Sequence, residues 1–189
     1  MSQEIEIKLA VKTAPAARAL LRRHGFRVIA PRVFEANTLY DTPNSDLRIA
    51  GTILRLREVA RRVVVTYKGP PQKGPHKVRE EIEFGSSSAR ETALVWQRLG
   101  FHPTFRYEKY RTELQRPREP GHVTLDETPI GVFLELEGPP AWIDRTARRL
   151  GFPPEAYITA SYGSLYFDTC VKSGVRPSNM VFPRSRSLK

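Results

Sequence analysis

Glu4-Ile5-Glu6-Ile7-Lys8, at the N-terminus, alternates charge with isoleucine, and this constrains the fold more than any other stretch of the chain. Strand side chains point alternately to two faces, so Glu4, Glu6 and Lys8 share one face while Ile5, Ile7 and Leu9 share the other. The apolar face needs a core. The charged face is either a solvated sheet surface or the wall of an enclosed site, and the choice depends on whether later strands repeat the pattern.

They do. Counting 3–12 as the first, strands are expected at roughly 33–40, 47–58, 62–68, 77–84, 104–116, 121–127 and 131–137, separated by turn chemistry such as Asp41-Thr42-Pro43-Asn44 and the Gly69–Pro75 segment. Arg55 and Arg57 alternate with Leu54 and Leu56, and Lys68 follows Thr66 by two. Lys77, Arg79, Glu81 and Glu83 oppose Val78, Ile82 and Phe84, with Glu80 as the exception. Lys109 and Arg111, then Asp126, then Glu135 and Glu137 continue the series. Three helices are expected to close on Gly25-Phe26, Gly100-Phe101 and Gly151-Phe152, the first capped by Thr13 and the second opened by Ser88-Ala89-Arg90-Glu91. A last helical segment covers about 155–171. The fold class that follows is α+β, mainly β: a closed eight-stranded antiparallel barrel with flanking helices, since closure abolishes sheet edges.

If the apolar face packs under the helices, the ionic groups line the lumen. Buried charges are costly unless they pair or hold ligands. Arginine and lysine suit phosphate oxygens, and carboxylates suit a hard dication that bridges phosphates. A site holding both is expected to bind a polyphosphate with Mg2+ or Mn2+. The same alternation also fits cross-strand ion pairs on an exposed sheet, and periodicity leaves the two open.

The 189 residues carry 31 basic and 20 acidic side chains, a net +11, which points to an anionic partner. Five of the bases, Lys172, Arg176, Arg184, Arg186 and Lys189, follow the last acid, Asp168, and leave 26 against 20 before them. The expected division is therefore a domain at 1–171 and a basic, flexible tail at 172–189. A nucleic-acid-binding barrel would place bases on an outer surface with few acids beside them; seven acids on the same face argue against specific nucleic-acid binding. The single cysteine, Cys170, excludes an intrachain disulfide and suits a reducing cytoplasm. No signal peptide and no membrane span are expected. The four histidines lack metal-ligand spacing and read as structural or solvated, and Trp96 and Trp142 read as core. Oligomeric state, monomer or dimer, is left open.

In their order along the chain, Glu4-x-Glu6-x-Lys8, Tyr40-Asp41-Thr42, Leu54-Arg55-Leu56-Arg57, Thr66-Tyr67-Lys68-Gly69-Pro70, Arg79-Glu80-Glu81-Ile82-Glu83, Lys109-Tyr110-Arg111 and Glu135-Leu136-Glu137 resemble the CYTH, or triphosphate tunnel metalloenzyme, superfamily over roughly residues 3–170. The resemblance implies an ionic tunnel binding a triphosphate-containing small molecule. Its metal ligands would be Glu4, Glu6, Glu135 and Glu137, with Asp126 nearby. Its phosphate-binding bases would be Lys8, Arg55, Arg57, Lys68 and Arg111, with Arg79 and Lys109 beside them, Glu81 and Glu83 as supporting tunnel charges, and Tyr40 as a substrate contact near the mouth. Lys172 is a candidate for the family's basic residue on the C-terminal helix. Lys8, crowded by Arg55 and Arg57, is expected to have a lowered pKa and to serve as a base. The activity implied is divalent-metal-dependent hydrolysis of tripolyphosphate, a nucleoside triphosphate or thiamine triphosphate. The alternative is class IV adenylyl cyclase chemistry, converting ATP to cyclic AMP and pyrophosphate, and a non-catalytic polyphosphate-binding module comes third.

Overall fold

The computed structural model describes residues 2–183. Eight strands close into an antiparallel barrel: β1 (Ser2–Val11), β2 (Arg27–Asp41), β3 (Ile53–Val59), β4 (Arg62–Lys68), β5 (Lys77–Ser86), β6 (His102–Gln115), β7 (His122–Thr128) and β8 (Gly131–Glu137), in the order β1-β5-β4-β3-β2-β6-β7-β8. Two meanders, β2–β5 and β6–β8, meet along β2–β6 and are joined by β1, which pairs with β5 through Ser2–Glu6 and with β8 through Glu6–Val11.

The apolar face of the opening strand does turn outward. Ile7 and Leu9 are fully buried with Val123, Leu125, Leu134 and Leu136 beneath α1 (Ala14–Arg23) and α4 (Pro140–Arg149), which contribute Leu21, Trp142 and Ile143. A smaller cluster of Tyr40, Leu56 and Val65 packs under Trp96 of α3 (Ala89–Arg98). The three helices end as the glycine pattern predicts. Gly25, Gly100 and Gly151 have φ of 82°, 92° and 86°, and the next residue's N–H returns to the helix, as Phe26 does to the Leu21 carbonyl. Ser88 caps α3 through the Glu91 N–H, while its own N–H bonds Ser86 Oγ.

Two segments differ from the sequence expectation. β2 begins at Arg27 rather than 33, and β3 at Ile53 rather than 47. Residues Asp46–Ile49 form a helical turn, α2. The Asp41 carboxylate accepts from the N–H groups of Thr42, Leu47 and Arg48, so the Asp-Thr-Pro-Asn turn propagates as helix instead of extending. At the C-terminal end, a 3-10 turn at Pro154–Ala156 precedes α5 (Tyr162–Lys172). Between them Ile158 pairs with Lys8 on the rim of β1, and beyond α5 Met180 pairs with Tyr107 on the rim of β6. Residues 158–180 thus cross one end of the barrel, with Met180 1 % exposed. Arg184, Arg186 and Lys189, three of the five cations expected in the tail, lie outside the described residues. Among those described, no helix is long and apolar enough to cross a membrane.

Glu119, in the turn between β6 and β7, accepts from Trp142 Nε1, Arg149 Nη1 and Arg116 Nη1 at 2.8, 2.9 and 2.7 Å, clasping this turn to α4. Burial alone would raise its carboxyl, but these donors hold it down at about 2. A group depressed in the fold adds stability above its unfolded pKa near 4.5 and loses it as pH falls toward the folded value. Glu119→Gln is expected to cost about 1–2 kcal/mol, or about 3–6 °C in melting midpoint at pH 7. The difference from wild type should shrink between pH 4.5 and 2 when melting is followed by circular dichroism.

Candidate active site

Register pairing in an antiparallel sheet puts partnered residues on the same face. Around the closed barrel this collects the charged positions on the inside: Glu4 with Arg79, Glu6 with Lys77 and Glu137, Lys8 with Glu135, Lys68 with Glu81, Arg111 with Asp126. Glu4, Glu6, Lys8, Arg55, Arg57, Lys68, Lys77, Arg79, Glu81, Glu83, Lys109, Arg111, Glu135 and Glu137 line one cavity of about 360 Å3. The exposed-sheet alternative is thereby excluded.

The charges are not evenly mixed. On the β1–β8 side, Glu4, Glu6 and Glu137 are close enough to repel: burial, then the charges of Glu4 and Glu6, push the Glu137 carboxyl up to about 7. On the β3–β6 side, Arg57 is held below its ordinary value by burial and by the neighbouring Arg55 and Arg111. Glu35 faces this cationic wall. Burial alone would raise its carboxyl, but Lys109, Arg111 and Arg57 hold it down at about 2.

Ion pairs stitch the walls together. Lys68 Nζ lies 2.6 Å from Glu4 and 3.2 Å from Glu81. Lys77 donates to Glu6 at 2.7 Å. Lys8 donates to Glu6 at 2.9 Å and lies 3.1 Å from Glu135. Arg111 makes two hydrogen bonds to Asp126, at 2.8 and 2.6 Å, and contacts Glu135. Lys109 donates to Asp126 at 2.7 Å. Arg55 has mainly neutral partners, Thr66 Oγ1 at 3.0 Å and Tyr107 Oη at 3.4 Å, with Glu83 and Glu81 farther off at 3.5 and 3.7 Å. Arg57 Nε donates to Asn37 Oδ1 at 3.0 Å.

Several expectations need correction. Lys8 stands between carboxylates rather than crowded by Arg55 and Arg57: burial alone would lower its pKa, but Glu6 and Glu135 outweigh that and hold the ammonium above its ordinary value. Asp126 is fully buried behind the lining with Lys109, Arg111 and Tyr162 Oη bonded to it, so it serves as counter-ion to the bases. Arg79 spends its guanidinium on the Gly69 and Gly51 carbonyls, fastening two rim loops. Tyr40 opposes Leu54 on the outer face and packs edge-on to Trp96 at 4.9 Å, outside the cavity. Lys172 is exposed at the far end of α5. What α5 brings to the cavity is Tyr162, whose ring sits 5.2 Å from both Lys8 Nζ and Lys109 Nζ.

The structure adds residues that the charge pattern passed over. Glu35 and Asn37 extend the inward set into β2, where Phe34 and Ala36 between them carry the same period-two signal. His122 lines the cavity with its Nε2 3.6 Å from Glu137, rather than standing apart. Leu39, Ile53 and Phe105 give the cavity an apolar margin beside Gly163.

For a metal, the donor chemistry fits: Glu4, Glu6 and Glu137 are hard oxygen ligands whose mutual repulsion a dication would relieve. Among the described residues, however, no three Asp, Glu, His or Cys side chains come together as a ligand set, and Lys68, Lys8 and Lys77 pair with Glu4 and Glu6.

Residues 2–149 match the family model of the CYTH domain. A Methanocaldococcus jannaschii protein whose name proposes an adenylate cyclase is 30% identical over 135 residues, covering 71% of this chain and 75% of its own. Among solved structures, a Pyrococcus horikoshii protein superposes with a TM-score of 0.75 at 24% identity, over 88% of this chain and 99% of that one. A Hippeastrum protein, proposed as an adenylyl cyclase and described as revealing a dominant triphosphatase activity, superposes with a TM-score of 0.63 at 18% identity, over 94% and 98%. At these identities the solved structures speak to the fold alone.

Proposed function

The chain belongs to the CYTH domain family, and from that premise we propose that it hydrolyses a triphosphate held in the barrel lumen, with the help of Mg2+ or Mn2+. The observation that carries this reading is one cavity that holds both an arginine short of counter-charge and a crowded carboxylate. Most lining charges are paired, but Glu137 sits beside Glu4 and Glu6 and is raised, while Arg57 sits beside Arg55 and Arg111 and is lowered. An arginine short of counter-charge is relieved by an oxyanion and a carboxylate crowded by its own kind by a cation, so the two together suit a polyphosphate and its counter-ion.

Arg55, Arg57, Lys109 and Arg111 would neutralise phosphate oxygens and orient the chain of phosphates along the lumen. Lys8, kept protonated by Glu6 and Glu135, would bring positive charge to an oxygen that gains negative charge during the reaction. Glu4, Glu6 and Glu137 would hold the dication, whose contribution is Lewis-acid polarisation of the phosphoryl group. Binding of a triphosphate offers Lys68 and Lys8 oxygens to exchange for Glu4 and Glu6, which frees those carboxylates as ligands.

Cyclisation of ATP is a second reading. It is favoured by the apolar margin of Leu39, Ile53 and Phe105, which offers a surface for an organic group, and by the name of the Methanocaldococcus relative. Hydrolysis is preferred because attack by water needs no hydroxyl of the substrate held in line, and a fold shared by both activities does not decide between them.

Incubating the protein with tripolyphosphate, ATP and thiamine triphosphate, with either metal, separates these readings. Orthophosphate release that stops when EDTA is added is the expected result. Cyclic AMP and pyrophosphate without orthophosphate would establish the cyclase reading instead, and binding without turnover would reduce the protein to a polyphosphate-binding module.

A further inference from the structure

Asn37 stands out because its amide is placed at a cost to the fold. It is 0 % exposed and sits opposite Arg57 across the β2–β3 ladder, with its Oδ1 accepting from Arg57 Nε at 3.0 Å. Arg57 Nε–H can only donate, so the amide oxygen must face it and the amide cannot be flipped. That leaves Nδ2, a buried donor, without an acceptor among the described residues. A buried unpaired donor is destabilising, and an aspartate at this position would remove the orphan and still accept from Arg57.

The difference between the two side chains is charge. A neutral acceptor fixes the guanidinium without neutralising it. The nearest carboxylate, Glu35, stands 3.5 Å from Arg57 Nη1 and is shared with Lys109 at 3.8 Å. Arg55 and Arg111 add like charge nearby. Arg57 therefore faces the cavity oriented but short of counter-charge, a state that an incoming anion would relieve.

We propose that Asn37 is a positioning residue: it aims Arg57 into the lumen as an incompletely neutralised cation for a phosphate oxygen, and the fold tolerates the orphaned amide donor for that purpose. The inference rests on the anion-binding reading of the cavity given above.

Titration calorimetry of inorganic tripolyphosphate into the wild type, N37D and N37A, with melting midpoints measured in parallel, tests it. N37D adds a carboxylate beside Arg57 and is expected to raise the dissociation constant at least 10-fold without lowering the midpoint. N37A removes the acceptor, lets Arg57 turn toward Glu35, and is expected to weaken binding about 3- to 10-fold; it carries the test alone if N37D does not fold. Unchanged affinity in the folded variants would overturn the role of Asn37, as would losses of affinity that only follow a lost midpoint. A wild type that does not bind tripolyphosphate would instead overturn the anion-site reading itself.

Discussion

Arg57→Ala is expected to weaken tripolyphosphate binding about 100-fold, while moving the melting midpoint by no more than a few degrees. The guanidinium has one neutral hydrogen-bond acceptor, Asn37, and one carboxylate at 3.5 Å, so less folding energy depends on it than on a cation bonded directly to a buried carboxylate. It is also held below its ordinary pKa by burial and by Arg55 and Arg111. Removing it relieves that repulsion and offsets the lost contact. In a complex with a phosphate oxygen the same group would make a charge-assisted hydrogen bond in a site largely shielded from water, where such bonds are at their strongest. A 100-fold change is about 2.7 kcal/mol, within the range for a lost bond between charged groups. Titration calorimetry at low and moderate salt, paired with thermal melting, measures both quantities. A large stability loss with unchanged affinity would place Arg57 among the structural pairs.

Arg111→Met, by contrast, is expected to cost the fold far more. Asp126 is 0 % exposed and takes two hydrogen bonds from Arg111, which also contacts Glu135. Burial opposes the charge on the guanidinium, but Asp126 and Glu135 raise Arg111 well above its ordinary value, the mark of a cation held by the fold itself. Methionine would leave Asp126 with Lys109 and Tyr162 Oη and leave Glu135 with Lys8, so two buried carboxylates would lose part of their compensation. Breaking a buried pair from one side costs about 3–5 kcal/mol, which for a chain of this length is about 6–20 °C in melting midpoint. Thermal unfolding followed by tryptophan fluorescence measures this loss. A midpoint within about 2 °C of wild type would show that Lys109 alone satisfies Asp126.

The contrast between these two arginines bears on what a charge pattern can reveal. Both sit at alternating positions of charged strands, and in the sequence nothing separates them. In the barrel Arg111 meets Asp126 in register on β7, whereas Arg57 meets Asn37 on β2. Lys8 makes the same point. Grouping the charged positions on one face places it beside Arg55 and Arg57 and predicts a lowered pKa. Its partner in register is Glu135, 127 positions away, and with Glu6 that carboxylate reverses the direction. Tyr40 was misplaced for a simpler reason: the Tyr-Asp-Thr patch resembled the family's, yet its parity pairs it with Leu54 on the apolar face. The three helix ends and the core tryptophan Trp142 were readable because caps, left-handed glycines and amphipathic spacing are local signals. The helical turn at Asp46–Ile49 was not, because it depends on Asp41 accepting from backbone groups up to seven residues ahead.

By itself, then, the sequence determined which side chains share a face, that this face is almost wholly ionic, and that its opposite needs a core; strand alternation has a period of two and acts within a few residues. Alternation alone left the direction of the ionic face open, and only the tertiary structure decided which acid neutralises which base and which charges are left facing their own kind. Those outcomes depend on register between strands far apart in the chain and on closure of the barrel, because the energy of a buried charge is set by the groups within a few ångströms of it, whatever their distance in sequence.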